Sequence, residues 1–293
     1  MSADVFSFDK LAVRRSFSVA SQQYDSVAVL QAEVRQRLVE RLALFKLQPQ
    51  TILDSGCGTA LSSQTLQVLY PRSQVIALDA AFGMLQHARP SRWQWFRKSY
   101  KRICADAYQL PFKSKSVDLI FSNLMLQWCD PPDAVFAEIQ RVQTPGGVFI
   151  FSSFGPDTLQ ELRNAWMNVD AHTHVNRFID MHDLGDAMMR AGLAEPVLDV
   201  ERFTLTYPDA LTLMRELKAI GAHNITQGRR HGLMGKAVLN QVIHNYEKHR
   251  RDNLLPASYE VVYGQAWGNA TMPVSAGEVR IPIANIGKRG GQT

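Results

Sequence analysis

The hydrophobic and polar positions of the chain follow two alternating periods. Apolar residues recur every three or four positions through 27–46, which predicts an amphipathic helix. Similar spacing predicts further helices at 59–69, 82–88, 131–142, 157–168, 181–191, 209–220 and 233–249. Short apolar or alternating runs predict strands at 51–54, 74–79, 101–105, 117–122, 148–153, 197–206 and 259–264. The pattern is therefore one of strands that alternate with helices.

This alternation predicts an α/β fold with a mostly parallel sheet, right-handed crossovers and helices on both faces. We expect one domain over residues 1–268 and a loosely ordered tail at 269–293. Helical insertions at about 155–195 and 208–255 interrupt the pattern. Because open α/β sheets bind ligands at the carboxyl ends of their strands, we expect these insertions to form a substrate cap there. Residues 10–46 are expected to close the site from the other side as a lid.

The first two predicted strands flank a turn that contains glycines. Residues 52–60 read Ile-Leu-Asp-Ser-Gly-Cys-Gly-Thr-Ala, and the second strand ends in Asp79. Gly56 and Gly58 permit a tight turn and a close approach of the backbone to a ligand, where a Cβ would collide. An acid after the second strand accepts hydrogen bonds from a ribose in nucleotide-binding folds of this kind. The turn therefore predicts a nucleoside site.

Composition narrows the class further. The chain has 293 residues, 46% hydrophobic content and no apolar run near the roughly 18 residues that would span a bilayer. Its N-terminus lacks the apolar core of a secretory signal. Cys57, Cys104 and Cys129 fall in or beside predicted strands, as expected of small buried thiols in a reducing compartment. We therefore expect a cytoplasmic protein without a membrane partner.

The net charge of +5 is unevenly distributed along the chain. One group of cations without an intervening acid comprises Arg89, Arg92, Arg97, Lys98, Lys101 and Arg102. Such a group is either solvated surface or a binding face for an acidic macromolecule, which would be nucleic acid or an acidic carrier protein. Because the chain has no recognisable RNA- or DNA-binding module, we expect no nucleic-acid partner.

The glycine turn resembles motif I of the Rossmann-like, S-adenosylmethionine-dependent methyltransferases. Its Asp-x-Gly-x-Gly-x-Ala pattern is shorter than the Gly-x-Gly-x-x-Gly turn that accommodates a pyrophosphate, which disfavours a nicotinamide-binding Rossmann fold. The segments that begin at Asp79, Cys104 and Val117 resemble later motifs of the same family, in the same order. The resemblance implies a seven-stranded sheet and S-adenosylmethionine as the cofactor.

The resemblance also implies a set of cofactor-binding residues. Asp54 would attract the cationic end of the cofactor, Asp79 would bind the ribose hydroxyls, and Asp106 would bind the adenine amino group. Met84 would lie under the adenine, and Ala107 would offer its backbone N–H. The other implied cofactor-binding residues are Gly56, Cys57, Gly58, Ala80 and Asn123, the last of which ends the fourth strand at the methyl-transfer site.

Further motifs resemble a narrower family, the malonyl-acyl-carrier-protein O-methyltransferases of biotin biosynthesis. These motifs extend from about residue 10 to 267 and include Val13-x-x-x-Phe17-x-x-Ala20-x-x-x-Tyr24-Asp25, Ser122-Asn-Leu-Met-Leu-Gln-Trp-Cys129, His174-Val-Asn-Arg-Phe178 and Tyr259-Glu-Val-Val-Tyr-Gly-Gln-Ala-Trp267. The resemblance implies methylation of a malonyl thioester on acyl carrier protein or on coenzyme A. Two alternatives remain, a methyltransferase for a quinone precursor or RNA, and a relative of a respiratory-complex assembly factor.

A malonyl carboxyl group is already ionised at neutral pH, because carboxylic acids titrate at about pH 4. The implied reaction needs no general base, and catalysis depends on aligning a carboxylate oxygen with the methyl group and on excluding water. Arginine offers a carboxylate two parallel donors, and Arg177 is the candidate. Tyr24, Gln127 and Trp128 complete the candidate catalytic set. Each of the four also has a purely structural alternative.

Two other kinds of chemistry find little support in the sequence. His172, His174 and His182 lack a cysteine or carboxylate that would complete a metal-ligand set, so we expect no metal. The pair Ser152-Ser153 lacks a histidine and an acid in the context of a nucleophile elbow, which argues against a hydrolase. We expect the protein to be a monomer.

Overall fold

The computed structural model describes residues 8–88, 99–167, 169–170, 172–226, 228–229, 232 and 235–269 of the chain. Its strands are β1 (Thr51–Ser55), β2 (Gln74–Asp79), β3 (Lys101–Cys104), β4 (Val117–Asn123), β5 (Gln143–Phe154), β6 (Ala194–Tyr207) and β7 (Leu255–Trp267). They form one sheet in the order β3-β2-β1-β4-β5-β7-β6. β7 is antiparallel to both of its neighbours, and the other pairs are parallel. The predicted seven-stranded, mostly parallel sheet is confirmed.

Helices cover both faces of this sheet. In chain order they are α1 (Lys10–Ala20), α2 (Tyr24–Val27), α3 (Val29–Leu42), α4 (Leu61–Leu69), α5 (Phe82–His87), α6 (Pro132–Val142), α7 (Gln160–Trp166), α8 (Met181–Arg190), α9 (Ala210–Ala219) and α10 (Lys236–Glu247). A short 3₁₀ helix, Leu126–Trp128, follows β4.

Neighbouring side chains of the central strands enter separate cores on the two faces. Ile52 of β1 packs in one core with the buried stripe of α3, whereas Leu53 packs in the other core with α6 and α8. Both side chains are completely buried. Parallel strands that are covered on both faces need apolar residues at consecutive positions, which explains why the sequence shows a continuous run there.

The N-terminal helices differ from the prediction. The apolar pattern predicts one helix over 27–46, whereas the structure has α2 and α3 separated at Ala28, whose φ of −81° and ψ of 53° are not helical. α1 is not predicted by the pattern at all. Only Ala20 of this helix is fully buried. Its sequence, Lys-Leu-Ala-Val-Arg-Arg-Ser-Phe-Ser-Val-Ala, therefore lacks the stripe of buried apolar residues that would predict a helix.

β6 and β7 extend beyond their predicted bounds as a long antiparallel ribbon. Their pairing runs on to Tyr207 opposite Leu255, whereas β5 pairs with β7 only as far as Val261. Pro256 lies in the part of β7 that has a strand on one side only. A proline is tolerated there because no second ladder needs its missing N–H, although the same residue looks like a strand terminator in the sequence.

The inserted helices take two different positions. α7, α9 and α10 pack with the β6–β7 ribbon and contribute Leu162, Leu213 and Val242 to one core. α8, which the first predicted insertion includes, instead packs in the other core through Leu184 and Met188. α8 is therefore a crossover helix on the sheet and not part of a cap, because its apolar stripe faces the strands. A covering role for the other inserted helices stays a prediction.

Candidate active site

The turn after β1 has the backbone conformation that its glycines permit. Gly56 and Gly58 have φ of 72° and 55°, in the left-handed region. The N–H of Gly56 donates to the carbonyl oxygen of Leu78 at 2.8 Å, which holds the turn against the end of β2. A Cβ on Gly56 would lie 2.3 Å from Cγ of Met125. The turn therefore has no room for a side chain at this position.

Asp79 ends β2 beside this turn, and backbone N–H groups fix its carboxylate. Oδ2 accepts a hydrogen bond from Gly58 at 2.8 Å, and Oδ1 accepts one from Ala81 at 2.7 Å. Burial raises the pKa of the Asp79 carboxyl, and the backbone hydrogen bonds act against that rise. Each carboxylate oxygen can accept a second hydrogen bond, so Asp79 is oriented to receive a pair of hydroxyl donors.

A cavity, called here the central cavity, extends along the carboxyl ends of β1, β2 and β4. It encloses about 850 Å³ of space, open solvent included. The predicted cofactor-binding residues that line it are Gly56, Gly58, Asp79, Ala80, Met84, Asp106, Ala107 and Asn123. The predicted catalytic residues Tyr24 and Trp128 line it as well. Most of the predicted site is therefore brought together at one edge of the sheet.

Asp54 does not line the central cavity. Its carboxylate is buried beneath the turn, where Oδ2 accepts a hydrogen bond from Oγ of Ser63 at 2.5 Å. Oδ1 has no hydrogen-bond partner among the described residues. Burial raises the pKa of Asp54 to about 7, a rise that the Ser63 hydrogen bond opposes and Asp79 increases. The side chain of Asp54 therefore does not line the central cavity, and its predicted role toward the cationic end of the cofactor stays a prediction.

Cys57 lies in a smaller pocket on the other side of the glycine turn, called here the inner pocket. The inner pocket shares Tyr24, Gly56, Gly58 and Asn123 with the central cavity, so the two spaces adjoin. Burial raises the pKa of the Cys57 thiol well above its usual value. The thiol is therefore neutral near pH 7 and is not activated as a nucleophile.

Asp106 lines the central cavity, but its carboxylate already has partners. Oδ2 pairs with Nη2 of Arg14 on α1, and Oδ1 accepts a hydrogen bond from the backbone of Tyr108 at 3.1 Å. Asn123 has a similar arrangement, because it donates to the carbonyl of Gln31 and accepts from a serine of β5. The amide of Asn123 thus links α3 to the sheet, while the residue also lines the cavity.

α1 contributes cavity residues that the sequence does not reveal. Besides Arg14, Lys10 lines the cavity and lies over the ring of Tyr108, 3.4 Å from its centroid. Phe17 contacts Trp128 edge to face, with ring centroids 5.2 Å apart. The only sequence signal for this arrangement is the N-terminal resemblance motif, which includes Phe17 but neither cation. Residues of α1 thus line the central cavity, and the role of residues 10–46 as a lid stays a prediction.

A second cavity, called here the lateral cavity, meets the central cavity at Cys129, which lines both. Gln127 and Arg177, the two remaining predicted catalytic residues, line this lateral cavity and not the central one. Gln127 is buried, and its Nε2 donates to the carbonyl of Leu124 at 2.6 Å. Arg177 is exposed at the cavity wall. The structure therefore divides the four predicted catalytic residues between two adjoining cavities.

His174 also lines the lateral cavity. The sequence suggests this residue only as a metal ligand, for which it offers no complete ligand set. The rings of His174 and Trp166 stack with centroids 3.5 Å apart and an angle of 4°. Nε2 of His174 lies 2.7 Å from Oδ1 of Asp170, and since a carboxylate accepts, this nitrogen carries the proton. Among the described residues, no group of three or more histidines, cysteines and acids is arranged to hold a metal ion.

Lys101 and Arg102, the two members of the basic group that the structure describes, line neither cavity. Lys101 and Arg102 begin β3, at the amino end of the strand, whereas both cavities lie beyond the carboxyl ends. Nη1 of Arg102 donates to the carbonyl of Leu85 at 2.9 Å, which gives this cation a structural partner. The other members of the group, from Arg89 to Lys98, lie outside the described residues.

Within the described part of the chain, none of the helices has the length and apolar character needed to cross a bilayer.

The strand order, the antiparallel β7, the glycine turn and the cavity beside Asp79 together define the class of Rossmann-like methyltransferases. A family model described as "Methyltransferase domain" matches residues 53–151. The crystal structure of a putative methyltransferase from Bacillus halodurans C-125 has the same fold, with a TM-score of 0.58, 13% identity and coverage of 80% of this chain and 99% of that chain.

Comparison with curated sequences gives the family within this class. The malonyl-[acyl-carrier protein] O-methyltransferase of Methylovorus sp. strain MP688 is 52% identical over 271 residues, which are 91% of this chain and 92% of that protein. The protein of the same name from Gallionella capsiferriformans strain ES-2 is 51% identical over 89% of this chain and 92% of that protein. The chain belongs to the malonyl-[acyl-carrier protein] O-methyltransferase family. The narrower resemblance is confirmed over the nicotinamide and assembly-factor alternatives.

Proposed function

We propose that this protein transfers the methyl group of S-adenosylmethionine to the free carboxylate of a malonyl thioester on acyl carrier protein. The observation that carries the proposal is 52% identity to a malonyl-[acyl-carrier protein] O-methyltransferase over 92% of that protein. Methylation removes the negative charge of the malonyl end. The neutral ester can then enter fatty-acid elongation and supply the pimeloyl unit of biotin, whereas the free carboxylate is foreign to sites that accept apolar acyl chains.

The side chains of the central cavity fit the nucleoside part of S-adenosylmethionine. Asp79 offers two oriented acceptor positions to a ribose diol. Met84 and Ala107 are buried apolar residues that suit the faces of an adenine. The side-chain-free turn at Gly56 lets a ligand approach the backbone. When bound, S-adenosylmethionine supplies a methyl group on a cationic sulfur, which an oxygen nucleophile takes up as the sulfur leaves as a neutral thioether.

We propose that the lateral cavity receives the malonyl thioester. It meets the central cavity at Cys129, so an acceptor in one space can reach a donor in the other. Arg177 and Arg163 line its wall, and an arginine can bind a carboxylate through two parallel hydrogen bonds. Arg163 is half-buried and donates to the carbonyls of Pro156 and Thr158, whereas Arg177 is exposed at the cavity wall, and we propose Arg177 as the residue that binds the acceptor carboxylate.

The proposed mechanism uses positioning and exclusion of water, with no proton transfer. The acceptor carboxylate is ionised at neutral pH, so no base is required. Burial raises the pKa of Tyr24, with further contributions from Asp79 and Asp25, so its hydroxyl stays protonated and can donate a hydrogen bond. Trp128, packed between Phe8 and Phe17, covers the junction of the cavities with aromatic surface. Orientation of this kind can contribute on the order of 7–11 kcal/mol to a bimolecular step.

A direct assay tests the proposal. Purified protein is incubated with methyl-labelled S-adenosylmethionine and malonyl-acyl carrier protein, and the intact carrier protein is weighed by mass spectrometry. We expect a single added methyl group that is removed by mild alkali, as for an ester. Acetyl-acyl carrier protein, which lacks the free carboxylate, should gain no label. Labelling of both carrier proteins would contradict carboxylate methylation, and labelling of neither would contradict the activity.

Several finer parts of the prediction belong to this proposal. Parallel reactions with malonyl-coenzyme A decide whether the carrier protein is the preferred form of the acceptor. We further propose a monomeric, cytoplasmic protein without nucleic-acid or membrane partners, and one domain over residues 1–268 whose inserted helices cover the acceptor. Sedimentation of the full chain and cell fractionation test the first two of these statements.

A further inference from the structure

Three polar side chains, called here the threonine ring, join two separate segments beside the lateral cavity. Oγ1 of Thr173 and Oγ1 of Thr226 lie 2.6 Å apart, and Oγ1 of Thr226 donates to Oδ1 of Asn224 at 2.8 Å. Because a hydroxyl has only one proton to donate, Thr173 is the donor in the first of these bonds. Nδ2 of Asn224 donates in turn to the backbone carbonyl of Thr173, which closes the ring.

The centre of the threonine ring is shielded from water. Thr226 is completely buried, and its hydroxyl both donates and accepts within the ring. A buried hydrogen bond is costly to break, because no water molecule replaces the lost partner. The ring is therefore a firm connection between the two segments.

One side of the ring holds the segment that carries Arg177. Thr173 belongs to this segment, and the N–H of Ile225 donates to Oδ1 of Asn176 at 3.4 Å. Asn176 and Phe178, which flank Arg177 in the chain, are both buried. The backbone of Arg177 is therefore held from both sides, while the residue is exposed at the cavity wall.

The other side of the ring holds an aromatic part of the same cavity wall. Phe8 pairs with Thr226 in an isolated antiparallel bridge, and the N–H of Asp9 donates to the carbonyl of Ile225 at 3.3 Å. Phe8 lines the lateral cavity, and its ring centroid lies 5.5 Å from that of Trp128. Thr226 thus contacts, through its backbone and its hydroxyl, two segments that line the proposed acceptor site.

We infer that Thr226 is a positioning residue for the acceptor, which holds the Arg177 segment in a fixed position relative to Phe8. The inference rests on the proposed function, in which the lateral cavity receives the malonyl thioester. Thr226 does not itself line this cavity, so its effect reaches the acceptor through Thr173 and Phe8. Loss of the hydroxyl should therefore weaken acceptor binding and leave the donor site unchanged.

Steady-state kinetics of Thr226→Val test this role, because valine has nearly the shape of threonine and lacks the hydroxyl. We expect KM for malonyl-acyl carrier protein to rise by about 5- to 30-fold, as for loss of a buried hydrogen bond. Both kcat at saturating carrier protein and the affinity for S-adenosylhomocysteine should change less than about twofold. Thr226→Ser restores the hydroxyl and should return KM to within about twofold of the wild-type value.

Thr144→Val is the matched control. Oγ1 of Thr144 donates to Oδ1 of Asp118 at 3.1 Å, at the amino end of β5, and neither residue lines the central or the lateral cavity. The variant loses a comparable hydrogen bond, so its stability should fall without a change in KM. A raised KM in Thr144→Val, or one that persists in Thr226→Ser, would show a general effect of destabilisation and overturn the role of Thr226.

A double variant and proteolysis complete the test. Thr173→Val removes the other hydroxyl of the same bond, so Thr173→Val combined with Thr226→Val should raise KM no further than the larger single effect. Trypsin should cleave after Arg177 faster in Thr226→Val, because a segment that has lost its anchor opens more readily, and this readout needs no activity.

A normal KM in Thr226→Val, additive effects of the two substitutions, or unchanged cleavage after Arg177 would overturn the inference. Absence of methyl transfer by the wild-type protein, together with faster cleavage of the variant, would instead count against the proposed function alone.

Discussion

Ser55, at the end of β1, is buried, and its hydroxyl has no hydrogen-bond partner among the described residues. A buried polar group without a partner costs about 1–3 kcal/mol relative to its hydrated state. Ser55→Ala removes that cost and leaves the small size of the residue nearly unchanged. We expect the free energy of unfolding to rise by about 1 kcal/mol, measured by urea denaturation.

Ser122 provides a matched comparison on the neighbouring strand. It is equally buried, but its Oγ donates to the carbonyl of Ser55 at 3.0 Å. Ser122→Ala leaves that acceptor without its donor, so we expect stability to fall by about 1 kcal/mol. Opposite signs for the two variants would support the assignment of hydrogen bonds. A loss of stability in Ser55→Ala would contradict it.

Asp54 should make stability depend on pH in an unusual direction. Burial raises its pKa to about 7 in the folded protein, above the usual value of 3.8 for an aspartate. Between these two values the folded chain binds the proton more tightly than the unfolded chain, so stability falls as pH rises and levels off above about 7. We expect Asp54→Asn to remove this fall. The measurement is the difference in unfolding free energy between the two proteins from pH 5 to 8, and a constant difference would contradict the raised pKa.

The residues whose positions the sequence predicts correctly are those whose location follows from their place on the chain. Asp79 must lie at the end of its strand, and a strand end fixes which edge of the sheet it reaches. Asp54 has the same kind of position, but the sequence does not show which side of the turn its carboxylate faces. Lys10 and Arg14 are missed because a cation on a helix resembles a solvated surface residue until its neighbours are known.

At the scale of elements, α1 connects the two parts of the site. It contacts the inserted segment through Ser16, whose Oγ donates to the carbonyl of Gly221 at 3.0 Å. Its other contacts, through Arg14 and Ser18, reach the rim of the central cavity. Periodicity does not predict α1 because most of its residues are only half-buried and Ala20 alone is fully buried. The central strands and α3 are predicted better, because their buried side chains form a regular apolar pattern, as Leu30, Val34, Leu38 and Leu42 do on α3.

Gly83 permits the close seating of α1 on α5. A Cβ at Gly83 would lie 2.6 Å from the backbone oxygen of Ser18, a contact that α1 can relieve only by moving away. Since α1 also carries Lys10 and Arg14 to the cavity, we expect Gly83→Ala to weaken binding of S-adenosylhomocysteine by about 5- to 100-fold. Trypsin should also cleave the variant faster after Arg14, because a displaced helix is more accessible. Calorimetry and timed proteolysis measure the two effects.

Gly235→Ala is the control for this substitution. Gly235 precedes α10 with φ of −67°, and a Cβ there has no neighbour within 4 Å. We expect its cofactor affinity and its tryptic pattern to match the wild-type protein. If Gly83→Ala also matches the wild type, α1 is not required to close the central cavity.

For the whole molecule, the sheet order determines where the two substrates can meet. β1 lies between β2 and β4, so the chain connections leave this point of the sheet in opposite directions and open a crevice at the carboxyl edge. The 3₁₀ helix Leu126–Trp128 lies in that crevice and directs consecutive residues to different spaces, Trp128 to the central cavity and Gln127 to the lateral cavity. The sequence locates this segment by resemblance, but the division of its side chains depends on packing.

The net charge of +5 is not by itself a guide to the docking face. Lys101 and Arg102 lie at the amino end of β3, away from both cavities. A carrier protein that delivers a thioester arm must bind near the mouth of the cavity it enters. The expectation that Lys101 and Arg102 bind the carrier protein is therefore not favoured by their position.

If the donor and the acceptor occupy separate cavities, as we propose, single substitutions should affect one substrate at a time. Asp79→Asn disturbs the ribose site, so it should weaken S-adenosylhomocysteine binding by about 10- to 100-fold and reduce the rise in unfolding temperature that this ligand causes. Arg177→Ala should leave both quantities unchanged while KM for malonyl-acyl carrier protein rises by about 10- to 1,000-fold, through loss of its carboxylate contact. Calorimetry, thermal unfolding with ligand, and initial rates give the three readouts on the same preparations. An Arg177 variant with normal KM would remove that residue from the acceptor site, and one with impaired cofactor binding would contradict the separation of the two cavities.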